Sequence, residues 1–170
     1  MSQATTTAYG LVILPYDDNH LALPALKDEM TLYYPGFEGW YRQRVITGKR
    51  PVLQFYREQV IGGERVFTAL GWVILKPLPD KRVKISTLFI LPEHRGNGLM
   101  QTLLRLVIDW CTSAQSIYIT IPDDRMDFLG STLEKLSFHT YDYVYNLYRE
   151  GMVEYFLYYQ KPTNGDKPSC

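Results

Sequence analysis

Residues 88–100 read Leu-Phe-Ile-Leu-Pro-Glu-His-Arg-Gly-Asn-Gly-Leu-Met. A β-prone run from Val83 to Ile90 meets a turn with two glycines, and an amphipathic segment from about Gly98 to Ala114 follows at once. A strand-to-helix junction of this kind points successive backbone N–H groups at one spot. It also adds the positive end of a helix dipole, which together suit a phosphate or pyrophosphate. Gly96 and Gly98 lack a Cβ, so the backbone there can approach such an anion closely.

The elements that must hold this turn follow from periodicity and breakers. Tyr9 to Pro15 predicts a first strand. Asp17, Asp18 and Asn19 are N-cap residue types before a helix over 20–33, whose apolar face is Leu23, Leu26, Met30 and Tyr33, with Pro24 in its first turn. Pro35-Gly36 breaks that helix, and a second is predicted over 37–47. Strands follow over 52–56, 67–75 and 83–90, the last two paired as a hairpin. After the glycine turn, Leu99, Leu103, Leu106, Val107 and Trp110 form one helical face. A strand over 117–121, a helix over 125–136 capped by Asp123 and Asp124, and a hairpin of 138–148 with 153–160 around Glu150-Gly151 complete the series.

In these residues the chain resembles the GNAT N-acetyltransferase superfamily. The family's acyl-CoA motif, Q/R-x-x-G-x-G/A, reads here Arg95-Gly96-Asn97-Gly98-Leu99-Met100, with Met100 where the family has Gly or Ala. The preceding Leu88 to Glu93 looks like the family's usual strand ending, and the order of elements is similar from end to end. The resemblance implies an α+β or α/β fold with a central mixed, mostly antiparallel twisted sheet of about seven strands and about four helices. It implies one domain over 1–160, with 161–170 as a disordered tail. It implies transfer of an acetyl group from acetyl-CoA, as co-substrate, to an unidentified primary amine by direct attack. Leu88, Phe89 and Ile90 would hold the pantetheine arm and polarise the thioester carbonyl through their backbone. Arg95, Gly96, Asn97, Gly98, Leu99 and Met100 would hold the pyrophosphate. The alternative is a GNAT-fold module that binds CoA, nucleic acid or protein with little catalysis.

Transfer to an amine also needs a base for the amine and an acid for the leaving thiolate. Many members of the family carry a glutamate early on the cofactor strand, where this chain has Lys84. The family's tyrosine in a Tyr-Glu-Lys-Leu-Gly-Phe run corresponds to Leu133 in Leu-Glu-Lys-Leu-Ser-Phe. Neither Lys84 nor Leu133 can do those jobs, so replacements are expected. His139, Tyr141, Tyr143 and Tyr145 alternate along one strand and share a face. Tyr141, with His139, is the candidate proton donor, although such a stripe also serves packing. Tyr118 and Thr120 are lesser candidates. Glu154 is either a base or, more simply, an exposed ion-pair partner.

Arg42, Arg44, Lys49 and Arg50 lie in a stretch free of acids beside Trp40 and Tyr41. In the family the first two helices wall the acceptor site, so this stretch suits an acidic or phosphate-bearing acceptor, nucleic acid included. A solvated helix face is the plainer reading. His20, His94 and His139 are too scattered for a metal site, so no metal is expected. The 170 residues carry a formal net charge of zero, which excludes a global basic field for nucleic acid or membrane. Cys111 and Cys170 have no redox or metal spacing and read as reduced thiols in a cytoplasmic protein. No signal-like start and no membrane-spanning run is evident. The expected partner is the amine acceptor, with a homodimer as a further expectation.

Overall fold

Alternating apolar and polar residues build seven strands, and the computed structural model describes residues 6–162. The strands are β1 (Thr7–Ile13), β2 (Val52–Ile61), β3 (Glu64–Leu78), β4 (Arg82–Ile90), β5 (Ser116–Pro122), β6 (His139–Tyr145) and β7 (Val153–Gln160). The α-helices are α1 (Leu23–Tyr33), α2 (Phe37–Arg44), α3 (Leu99–Trp110) and α4 (Asp123–Lys135). The strands form one sheet in the order β1-β2-β3-β4-β5-β7-β6. Every neighbouring pair is antiparallel except β4 and β5, which are parallel.

The two sheet faces are covered by different helices. On one, Leu103, Leu104 and Val107 of α3 and Leu133 of α4 pack on Phe55, Val73, Ile117 and Ile121. On the other, Leu26, Met30, Phe37 and Tyr41 from α1 and α2 pack on Val52, Ile74 and Phe89. Burial of each such side chain contributes roughly 1.5–3 kcal/mol. The Tyr41 hydroxyl donates to the Asn19 carbonyl at 2.6 Å, and the Asn19 amide donates to the Val45 carbonyl at 3.2 Å. These buried bonds fix α2 to the 3-10 segment Tyr16–Ala22 that precedes α1.

The order of elements is the expected one, with local corrections. Residues 16–22 wind as a 3-10 segment, so the first α-helix starts later, at Leu23, with Pro24 in its first turn. β2 and β3 run on to a tight turn at Gly62-Gly63, because cross-strand pairing carries polar residues such as Arg57 and Gln59 that do not read as strand alone. Asp123 and Asp124 do not cap α4. Pro122 holds the N-cap position, and both aspartates sit in the first turn, where they complement the helix dipole. Lys161 is no part of a loose tail: its amide donates to the Gln115 carbonyl at 3.0 Å and its ammonium to the Cys111 carbonyl at 2.6 Å. Residues 163–170 of the expected tail, Cys170 among them, lie outside the described residues. No described helix is long and apolar enough to cross a membrane.

Candidate active site

β4 and β5 start side by side and then part. Their ladder runs from Arg82 with Ser116 to Ile85 with Ile119 and stops there. At that point β4 carries an extra residue against β3. Ile74 faces Thr87 while Leu75 faces Ile85, leaving Ser86 unmatched. Such a bulge bends its strand, and here it turns β4 away from its parallel neighbour. Gly71 of β3, paired with Ile90, permits the bend: a Cβ at Gly71 would lie 2.0 Å from the Phe89 carbonyl oxygen.

The gap opens into a cavity of about 460 Å³. Leu88, Phe89 and Ile90 line it, as do Arg95, Gly96, Gly98, Leu99 and Met100. Asn97 stands in the same turn but does not line the cavity. Gly96 and Gly98 have φ of 86° and 70°, backbone that L side chains rarely adopt, and open space where a Cβ would stand. After Arg95, the next turn amides with a backbone partner are those of Gln101 and Thr102, both donating to the Gly98 carbonyl. The intervening amides therefore remain to donate at the helix N-terminus. The Arg95 side chain folds inward, donating to the Ile90 carbonyl at 2.9 Å and pairing with Glu29 of α1. Glu29 also pairs with Arg125 of α4 at 2.8 Å, which joins the walls on either side of the opening.

A second cavity, of about 370 Å³, adjoins the first, and both share Tyr34, Ser86, Thr87 and Thr120. Its aromatic wall comes from Phe37 and Trp40 of α2 and from Tyr148, which meets Tyr34 edge-on with ring centroids 5.0 Å apart. Arg50, Lys76 and Lys84 also line it. Of the basic stretch read from sequence, only Arg50 reaches this cavity. Arg42 turns outward to pair with Glu38 at 2.8 Å, and Arg44 and Lys49 are exposed.

Glu154 departs furthest from expectation. It is 0% exposed, not a surface ion-pair partner, and it lines neither cavity itself. Neither carboxylate oxygen has a hydrogen-bond partner among the described residues. Burial pushes its pKa up to about 7, against the opposing pull of Arg149 and Lys84. Arg149 spends its own bonds on Asp124, at 2.9 and 3.0 Å. Tyr34 and Tyr148 both lie near enough to Glu154 for its charge to raise their pKa values, although burial is the larger cause in each.

Tyr141 and His139 share a sheet face with Tyr118 and Tyr158. A bulge at Tyr141 puts Tyr143 and Tyr145 on the opposite face, against the expectation that all four share one. The whole of β6 is an edge strand outside both cavities. Tyr141 is 52% exposed. Thr120 lines both cavities, whereas Tyr118 lines neither. Leu133 is fully buried among the α3 and α4 side chains. Tyr34, Tyr148 and Lys76 carry no signal in the sequence, because no motif surrounds them and only the tertiary fold brings them together. No group of His, Cys, Asp and Glu able to hold a metal occurs among the described residues.

A model of the acetyltransferase (GNAT) family matches residues 23–127 of this chain. The fold is similar to that of a spermidine N-acetyltransferase from Vibrio cholerae solved with CoA and spermine. That likeness has a TM-score of 0.67 at 14% identity and covers 89% of this chain and 95% of that one. It is also similar to an IAA acetyltransferase from Bacillus cereus ATCC 14579, with a TM-score of 0.59 at 14% identity over 91% of this chain and 100% of that one. No curated protein matches the chain by sequence.

Proposed function

Since the chain belongs to the GNAT acetyltransferase family, we propose that it moves an acetyl group from acetyl-CoA to a primary amine. The parting of β4 and β5 above the Arg95 to Met100 turn carries this reading. The pantetheine arm lies in the gap and completes the interrupted ladder with the backbone groups of residues 86–90 that point away from β3. The pyrophosphate takes the turn amides and the positive end of α3. The acceptor amine comes from the second cavity and meets the thioester beside Thr87 and Thr120.

The reaction then needs two proton transfers. Glu154, with a pKa of about 7, takes the proton of the acceptor ammonium through an intervening hydroxyl or water. The amine nitrogen attacks the thioester carbon, and backbone N–H groups of β4 stabilise the oxyanion. The C–S bond breaks, and the thiolate takes a proton from Tyr34, which stands where the cavities meet. Burial raises the Tyr34 pKa, so the phenol stays protonated until the thiolate forms. The nitrogen's second proton leaves to solvent, giving amide and CoA–SH, and the proton held by Glu154 restores the Tyr34 phenol, which returns both side chains to their starting states.

A non-catalytic CoA-binding module is the second reading, favoured by Lys84 and Leu133 at the positions of the family's base and acid. Calorimetry with acetyl-CoA tests the shared part. Gly98→Val forces a β-branched residue into a φ of 70° and should weaken binding at least tenfold, about 1.4 kcal/mol. Unchanged affinity in the folded variant would remove the site from the turn. Thiol release on an amine panel then separates enzyme from binder.

A further inference from the structure

We propose that the acceptor is a small amine that also carries an anionic group, a carboxylate or a phosphate, held by Arg50, Lys76 and Lys84 in the second cavity. The inference rests on the acetyl-transfer reading. Lys76 of β3 and Lys84 of β4 are direct cross-strand partners. Like charges placed opposite each other destabilise a sheet unless something neutralises them. Neither lysine makes an ion pair among the described residues, and the cavity lining includes no Asp or Glu. Arg50 adds a third positive charge. Among the described residues its Nε is buried without a partner, and its guanidinium bonds only to the neighbouring Lys49 carbonyl, at 2.9 Å.

Burial lowers the Lys84 pKa and the Lys76 charge lowers it further, although nearby Glu154 opposes both. Glu154 itself is half-neutralised near pH 7, so it offsets only part of the excess charge. The cluster is therefore a strained cationic site that a bound anion would relax. It cannot serve the CoA pyrophosphate, because the Arg95 to Met100 turn lines only the first cavity. A volume of about 370 Å³ fits a small molecule, and the aromatic wall of Phe37 and Trp40 covers its apolar part. A bare polyamine, by contrast, would bring positive charge to three cations.

The test uses the full chain with acetyl-CoA and matched amines: O-phosphoethanolamine against ethanolamine, β-alanine against propylamine, and spermidine. At least one anionic member should exceed its neutral partner tenfold or more in kcat/KM, and the two pairs distinguish phosphate from carboxylate. Lys76→Gln should cut that preference at least tenfold, mainly through KM, whereas Lys76→Arg should keep it. Arg42→Gln, outside the cavity, should change nothing. In the absence of anion, Lys76→Gln should raise Tm, because it removes the opposed charge, and inorganic phosphate should raise Tm more in the unmodified protein than in the variant. Preference for neutral amines or spermidine, an unaltered preference in Lys76→Gln, or a lower Tm in that variant would overturn the inference. Failure to bind acetyl-CoA in calorimetry would remove the underlying reading as well. Binding of acetyl-CoA without anion preference would remove this inference alone.

Discussion

Replacing Glu154 by glutamine should change the pH dependence of both stability and turnover. The carboxyl is buried without partners, and its pKa rises from an ordinary 4.5 to about 7. Between those values the folded state holds a proton that the unfolded chain has released. Stability therefore falls as pH rises through the window, with no penalty below the ordinary value and the full penalty above about 7. At about 1.4 kcal/mol per pKa unit, ionising Glu154 costs the fold roughly 3 kcal/mol. The glutamine side chain keeps the shape and removes the charge. The Glu154→Gln variant should match the parent near or below about pH 4 and exceed it by roughly 3 kcal/mol at about pH 8 to 9, on the order of 6 to 12 °C in Tm. Urea unfolding of both proteins across this range measures the difference directly, and contributions common to the two proteins cancel in the comparison. In kinetics, kcat/KM of the parent should rise with pH through an ionisation near 7, and the variant should lose that limb together with about a hundredfold or more in rate. Parallel stability curves would refute the raised pKa. Full activity in Glu154→Gln with the limb intact would refute the role as base.

Tyr141→Phe and His139→Gln should each leave kcat within about twofold, because both side chains are exposed to solvent on the edge strand β6; a loss confined to kcat would restore them as proton donors. Tyr34→Phe should lower kcat while sparing the affinity for acetyl-CoA, as measured by calorimetry beside steady-state thiol release. Gly71→Ala should destabilise by roughly 1–3 kcal/mol in urea unfolding, since its methyl group would displace the Phe89 carbonyl. Tyr41→Phe should cost about 1 kcal/mol through loss of the bond to the Asn19 carbonyl, read the same way.

The cofactor half of the site is legible in the sequence because it is local. A strand, a glycine pair with positive φ and a helix start are contiguous in residues 83–100, and each leaves its own residue signature. The reacting half is not. Tyr34, Lys76, Lys84, Thr120, Tyr148 and Glu154 come from separate strands and loops, and no spacing links them. Tyr141 misleads for a physical reason. Alternation puts it on one face with His139, Tyr143 and Tyr145, but a bulge at Tyr141 sends the last two to the other face. Strand order, which leaves β6 at the edge beyond β7, has no local signature. Glu154 misleads in the same way: one charged position in an aromatic strand reads as a surface residue until its neighbours are known. β2 and β3 read short because their outer halves are polar and owe their strand geometry to pairing.

Amide hydrogen exchange with and without acetyl-CoA tests most directly whether the cofactor lies in the parting of β4 and β5 with its pyrophosphate on the turn. New protection is expected at residues 96–100, whose amides have no backbone partner, and at those amides of residues 86–90 that point away from β3, with little change at β6. Saturating acetyl-CoA that binds yet leaves both segments unprotected, or that protects β6 instead, would contradict this placement.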